Sequence, residues 1–246
     1  MILDIATLFP ELCDAWLSGS IIGRARRAGY VTIDCHDIRG FSEDRHRRVD
    51  DSPYGGGMGM VLGPTAIYNC FRYIERLRGE RPHVIYLSPK GRIFNQQEAH
   101  RLAAMTQPVL LLCGHYEGVD QRVIDEIVDE ELSIGDYVLT GGELGALVVA
   151  DAAARLCEGV LPDESCFTEE SHEQGLLEYP HYTRPPVWHG REVPEVLLSG
   201  HHANIERWRR EQALELTLRR RPEMLERAEL SKRDREFLEK CTDARE

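Results

Sequence analysis

Four short apolar runs, residues 2–8, 31–35, 84–87 and 109–113, constrain this chain more than any other feature, because turn residues bound each one and a stretch with helical spacing follows. Continuous apolar runs are the mark of strands buried on both faces, as in a parallel sheet covered by helices. The alternation therefore predicts an α/β fold, with a mostly parallel sheet and helices on both faces. The helical stretches are residues 20–28, 64–78, 96–105, 120–128 and 143–156. Between Pro162 and Pro186 the pattern is lost in an acidic, proline-bounded segment of the kind that forms linkers and active-site lids. Beyond it, residues 202–217 and 231–241 read as helices, the first with Ile205, Trp208, Ala213 and Leu216 spaced for one apolar face. The 246 residues thus divide into an α/β domain over 1–161, a flexible lid or linker over 162–186 and a small helical domain over 187–246.

No stretch approaches the roughly 18 apolar residues that cross a bilayer. The first ten residues carry Asp4 where a signal peptide would be positive. A cytoplasmic protein with no membrane partner is expected. The seven cysteines are scattered and never form a C-x-x-C pair, which argues against both a disulfide framework and a zinc site. They read as small buried hydrophobes. The net charge of −12 argues against a nucleic-acid partner, but its distribution weakens that objection. Residues 184–246 carry about +1 and the remainder about −13, and Arg207, Arg209, Arg210, Arg219, Arg220 and Arg221 form a local basic cluster. A patch of that kind binds phosphate on an otherwise acidic protein.

Three glycine-containing segments fall at or after strand ends, where open α/β sheets bind ligands. They are residues 50–60 (DDSPYGGGMGM), 113–120 (CGHYEGVD) and 133–143 (SIGDYVLTGGE). One such segment alone reads as a turn; three together shift the balance toward a site. A dinucleotide fingerprint is absent, since no G-x-G-x-x-G lies between a strand and a helix, and no glycine precedes the Lys-Ser/Thr pair of a P-loop. Glycine-lined loops interleaved with Leu, Ile and Tyr suit an uncharged adenosine-like ligand gripped by backbone groups and apolar walls.

These segments, together with LFP at 8–10, VDD at 49–51, YLSP at 86–89, HYTRP at 181–185 and VLLSGHH at 196–202, resemble the bacterial tRNA (guanine-N1)-methyltransferase family, TrmD, of the knotted SPOUT superfamily. The resemblance covers nearly the whole chain. It implies a deep trefoil knot at the C-terminal end of the sheet, an exception to the rule that chains do not thread their own loops. It implies methyl transfer from S-adenosylmethionine to N1 of guanosine at tRNA position 37, next to the anticodon. The cofactor positions it implies are Tyr86, Leu87, Ser88, Pro89, Gly114, Tyr116, Glu117, Gly118, Ile134, Gly135, Asp136, Tyr137, Val138, Leu139, Gly141 and Gly142.

For catalysis the resemblance implies Arg155, in DAAAR, and the carboxylate Glu170, counted back from Gly175-Leu176-Leu177 and standing where the family usually has Asp. Glu169 is the adjacent alternative. For RNA it implies Asp50, Tyr54, Gly55 and Gly56 near the bases, Tyr182 and Arg184 on the passage to the tail, and His201, His202, Arg207, Arg209 and Arg210 toward the anticodon arm. Met58 stands where the family commonly has Pro. A homodimer with its active site between subunits is implied, with tRNA and not DNA as partner. A magnesium requirement is implied as well, but no carboxylate cluster identifies ligands. Two rivals stay open: a knotted methyltransferase of another RNA position, and a non-catalytic tRNA-binding protein.

Overall fold

The computed structural model describes residues 1–163, 165–168 and 170–243, and the chain separates into two units, Met1–Pro162 and Asp163–Glu246. The first unit runs β1 (Ile2–Thr7), α1 (Pro10–Leu17), α2 (Ser20–Ala28), β2 (Thr32–Asp37), β3 (Asp50–Asp51), β4 (Val61–Leu62), α3 (Pro64–Arg78), β5 (His83–Ile93), α4 (Gln96–Ala103), β6 (Val109–Cys113), α5 (Gln121–Ile127), β7 (Glu130–Ser133) and α6 (Glu143–Ala154). Five strands form one sheet in the order β2-β1-β6-β5-β7, every neighbouring pair parallel. The strands β3 and β4 make a separate antiparallel ribbon.

The apolar runs behave as strands covered twice. Leu3, Ile5, Ile33, Ile85 and Leu111 pack on one face with Leu17, Ile22, Leu102 and Val149 of α1, α2, α4 and α6. Their neighbours Ala6, Val84, Leu110 and Leu112 pack on the other with Ile67, Phe71 and Ile74 of α3 and Val123 and Ile127 of α5. Alternate side chains thus feed two cores, which is why no polar alternation shows in the sequence.

Four elements of this unit, α1, β3, β4 and β7, lie outside the apolar-run reading. Helix α1 keeps Leu12 and Trp16 exposed, so its apolar residues do not mark one face. Strand β7 begins with two glutamates. Of these, Glu130 is held by Arg92, by Arg101 at 2.6 Å and by His83 at 2.8 Å.

That network sets an acid limit on stability. Burial raises the Glu130 carboxyl, but hydrogen bonds from Arg92, His83 and Arg101 more than reverse this and hold it at about 2 against an ordinary 4.5. Asp4 is fully buried. Burial again opposes its ionisation, and hydrogen bonds from His36 and Arg78 outweigh that and lower its pKa. A carboxyl depressed by folding contributes stability above its unfolded pKa and loses it as pH falls toward its folded one. The melting temperature is therefore expected to fall as pH drops from about 4.5 to about 2, and Glu130→Gln should flatten that slope in a series of thermal melts.

The second unit contains α7 (Ser165–Thr168), β8 (Val187–Trp188), β9 (Arg191–Glu192), α8 (Glu195–Leu198), α9 (His202–Arg220) and α10 (Lys232–Asp243). Its core joins Leu176, Ala213 and Leu214 to Leu225, Ala228, Leu230, Phe237 and Leu238. The buried face of α9 is Ala213, Leu214 and Thr217, not the expected stripe through Leu216. The difference has a polar cause: the Thr217 hydroxyl donates to Ala213 O at 2.7 Å and accepts from the Leu177 N–H at 2.9 Å, so a hydroxyl residue occupies the core face. Ser231 and Asp234 cap the start of α10 reciprocally, at 2.9 and 3.2 Å. The β8–β9 hairpin, absent from the sequence reading, turns through His189 and Gly190, both at positive φ.

Candidate functional site

The C-terminal ends of β5, β6 and β7 open into one cleft, as parallel sheets do where helices have not yet covered them. Residues 86–89, 114, 116–118, 134, 135, 137–139, 141 and 142 all line it. Asp136 is the one expected cofactor position outside that lining; its side chain is exposed.

Glycine is needed here for close passage of main chains. A Cβ on Gly142 would lie 2.8 Å from the Cα of Cys113, and its N–H donates to Gly114 O at 2.9 Å. A Cβ on Gly114 would meet the Tyr86 hydroxyl at 2.7 Å. The 134–142 passage thereby lies directly against the 114–118 turn, with His115 and Gly141 bridged. Gly135 takes a φ of +150°, and the Ser133 hydroxyl ties it down by donating to its carbonyl and accepting from its N–H. Tyr86 is buried, which raises its phenol, and the nearby charge of Glu131 raises it further, so the hydroxyl stays protonated.

The first glycine segment is tied to the same turn. Leu62 N–H donates to Gly118 O at 2.9 Å, Glu117 N–H donates to Met60 O at 3.0 Å, and a Cβ on Gly59 would strike the Glu117 carboxylate. The loop carries Tyr54 out at 99% exposure, with Gly55 and Gly56 at positive φ and Asp50 half-buried at its base.

The cleft has lining residues that the sequence reading did not assign, among them Lys90, His115, Gln121, Glu131 and Gly145. His115 lies inside the 113–120 segment, and that position is the signal that finds it. Its Nε2 stands 3.7 Å from Glu143, which accepts from the Thr7 hydroxyl at 2.7 Å. Glu131 gave no signal, since an acidic pair before a glycine loop reads as solvated.

Arg155 closes α6, its N–H donating to Asp151 O, and its charge partly counters the burial that raises the Asp151 carboxyl. Glu170 belongs to the second unit, where it lines a smaller cavity with Leu176, Tyr179, Glu206, Arg209 and Arg210. Glu169 lies outside the described residues.

Of the expected RNA contacts, Tyr182, Arg184, His201, His202 and Arg207 are exposed. Arg209 stacks over the Tyr179 ring at 4.8 Å, and Arg210 is engaged with Asp234 at 2.9 Å and Glu229 O at 3.1 Å. These last two side chains are thus engaged inside the unit. Among the described residues no group of three or more His, Cys, Asp or Glu could hold a metal ion, so the magnesium expectation acquires no ligands. Nor, among those residues, is any helix long and apolar enough to cross a membrane.

A family model described as tRNA (Guanine-1)-methyltransferase TrmD matches residues 1–227. A protein of Alkaliphilus oremlandii named tRNA (guanine-N(1)-)-methyltransferase is 53% identical over 244 residues, 97% of this chain and 98% of its own. One of the same name from Chloroflexus aggregans is 54% identical over 225 residues, covering 92% and 88%. Another, from Caldanaerobacter subterraneus subsp. tengcongensis, is 51% identical over 238 residues, covering 97% of each.

Proposed function

This chain belongs to the tRNA (guanine-1)-methyltransferase TrmD family, and from that premise we propose that it transfers a methyl group from S-adenosylmethionine to N1 of the guanosine at tRNA position 37. The observation that carries the reading is the cleft itself, where three strand ends and two glycine loops pressed together make a backbone-lined, partly apolar wall suited to adenosine. The cradle fits: side chains at Gly114, Gly135, Gly141 or Gly142 would collide with the atoms that shape it. A deep trefoil knot is part of the proposal, supported by the close passage of the 134–142 segment against residues 113–115.

When bound, the cofactor supplies a methyl group already activated on a sulfonium. The protein's part is to align and to manage a proton. Guanine N1 carries a proton at neutral pH, so Glu170 acts as its base, and Arg155 donates to O6 as negative charge spreads there. The main chain at 134, 135 and 137–139 and the glycines at 114, 141 and 142 would hold the cofactor, and Leu87 and Leu139 would wall it. In this reading residues 1–161 bind the cofactor, 162–186 close over the reacting base and 187–246 bind the anticodon arm, in the cytoplasm.

The enzyme works as a homodimer with its active site between subunits. Exposed Leu12 and Trp16 on α1, and Leu144 and Val148 on α6, support this, because each pair lies one turn apart on helices that pack together. Leu144→Glu with Val148→Glu is expected to leave a monomer by sedimentation velocity. His201, His202 and Arg207 are exposed and would meet the RNA backbone. Arg207→Ala should weaken tRNA binding across sequences and reduce the salt slope by about 1.

Nucleoside mass spectrometry of tRNA incubated with the protein and S-adenosylmethionine tests the function. 1-Methylguanosine is the expected product. A different methylated nucleoside would support another RNA position, and none despite cofactor binding would support a binding protein.

A further inference from the structure

One carboxylate in the cleft takes no part in the chemistry above. Glu131 on β7 is paired in register with Tyr86 on β5, so both side chains lie on the same face of the sheet. Its neighbour Glu130 is held by two arginines and a histidine. Glu131 is different: its Oε2 is buried with no hydrogen-bond partner among the described residues, and the residue lines the cleft.

A buried carboxylate oxygen left unpaired is costly, so a partner from outside the described residues is called for. Its backbone is also fixed in place. A Cβ on Gly91 would lie 2.4 Å from the carbonyl carbon of Glu131, so β5 presses on β7 at this residue.

The cleft has two chemically distinct sides. Leu87, Leu132 and Ile134 belong to the apolar cluster on the α6 face of the sheet. Tyr86, with Val119 and Ile124, belongs to the α3 and α5 face, and there Glu131 joins the lining together with Gln121. The apolar side suits adenosine. A carboxylate with one buried, unpaired oxygen is best matched by a full positive charge bearing N–H donors, which neither adenine nor ribose carries and a sulfonium lacks.

Resting on the proposed cofactor, we infer that Glu131 is a specificity-determining residue whose carboxylate accepts a hydrogen bond from the α-ammonium of the methionyl end of S-adenosylmethionine. It holds the amino-acid end on the Tyr86 face and leaves the adenosine on the apolar side. It touches neither the methyl group nor the guanine.

Calorimetric binding to the full-length protein separates the two ends without turnover. The probes are S-adenosylhomocysteine, which has the amino-acid end but no sulfonium, and 5′-methylthioadenosine, which has the adenosine and no amino-acid end. Glu131→Gln, equal in size, is expected to weaken S-adenosylhomocysteine about tenfold to hundredfold, the worth of one charge-assisted hydrogen bond, and to leave methylthioadenosine within about twofold. The wild type itself must bind S-adenosylhomocysteine more tightly than methylthioadenosine by a similar factor, which keeps the inference testable even if the variant does not fold. Equal loss for both ligands would overturn it in favour of a role toward adenosine or the fold. Unchanged affinity for both would overturn it outright. Failure of the wild type to bind either ligand would instead remove the cofactor reading on which the inference stands, and the inference with it.

Discussion

Glu170→Ala is expected to lower single-turnover methyl transfer by about 10²–10⁴-fold, the usual contribution of a positioned general base, with S-adenosylmethionine affinity unchanged. The acceptor's protonation makes the effect large. Guanine N1 loses its proton before or as the methyl arrives, and water at neutral pH takes it poorly. Glu170 carries the same group as the family's usual Asp with one more methylene, so Glu170→Asp should retain most of the rate. Arg155→Ala should cost about 10²–10³-fold, as loss of a donor at a developing oxyanion does, and Arg155→Lys should recover only part, since a single ammonium does not reproduce the guanidinium fork. An active Glu170→Ala enzyme would move the base elsewhere.

Gly91→Ala is expected to damage the fold and the cleft together. The added Cβ would stand 2.4–2.5 Å from the carbonyl carbon and oxygen of Glu131 and the amide nitrogen of Leu132, all backbone atoms of the adjacent strand. No rotamer relieves that contact, so β5 and β7 must part at their C-terminal ends. Overpacking of this kind costs about 1–3 kcal/mol, which for a chain of this size lowers the melting temperature by roughly 2–12 °C. Cofactor affinity should fall with it, because Ser133 and Ile134 leave β7 directly into the cleft. Gly79→Ala is the control. Its φ is +79° but nothing lies within 4 Å of the new Cβ, so it should show backbone strain alone and unchanged cofactor binding.

The parallel sheet was legible because its strands are buried on both faces and therefore continuous in apolar residues. Strand β7 was not, since Glu130 is neutralised by Arg92, Arg101 and His83, contacts that bring distant parts of the chain together. Helix α1 hid for the opposite reason, keeping Leu12 and Trp16 in the open. In the tail, apolar spacing favours Leu216 over Thr217, whose hydroxyl is satisfied by Ala213 O and by the Leu177 N–H, the latter some forty positions earlier.

The candidate site divides the same way. Glycines 114, 135, 141 and 142 announced a ligand loop, and the resemblance to a known family added the strand end at Tyr86. What neither spacing nor composition carries is surroundings: Arg210 engaged with Asp234, Asp136 exposed and outside the cleft lining, Glu131 within it. A carboxylate reads alike in sequence whether it is solvated, salt-bridged or facing a ligand.

The most direct measurement is transfer of labelled methyl from S-adenosylmethionine to a tRNA carrying guanosine at positions 36 and 37, beside the same tRNA with position 37 replaced. Label at N1 of guanosine 37, absent from the replaced tRNA, is the predicted result. Equal labelling of both, or none in either despite cofactor binding, would contradict methylation at that nucleotide.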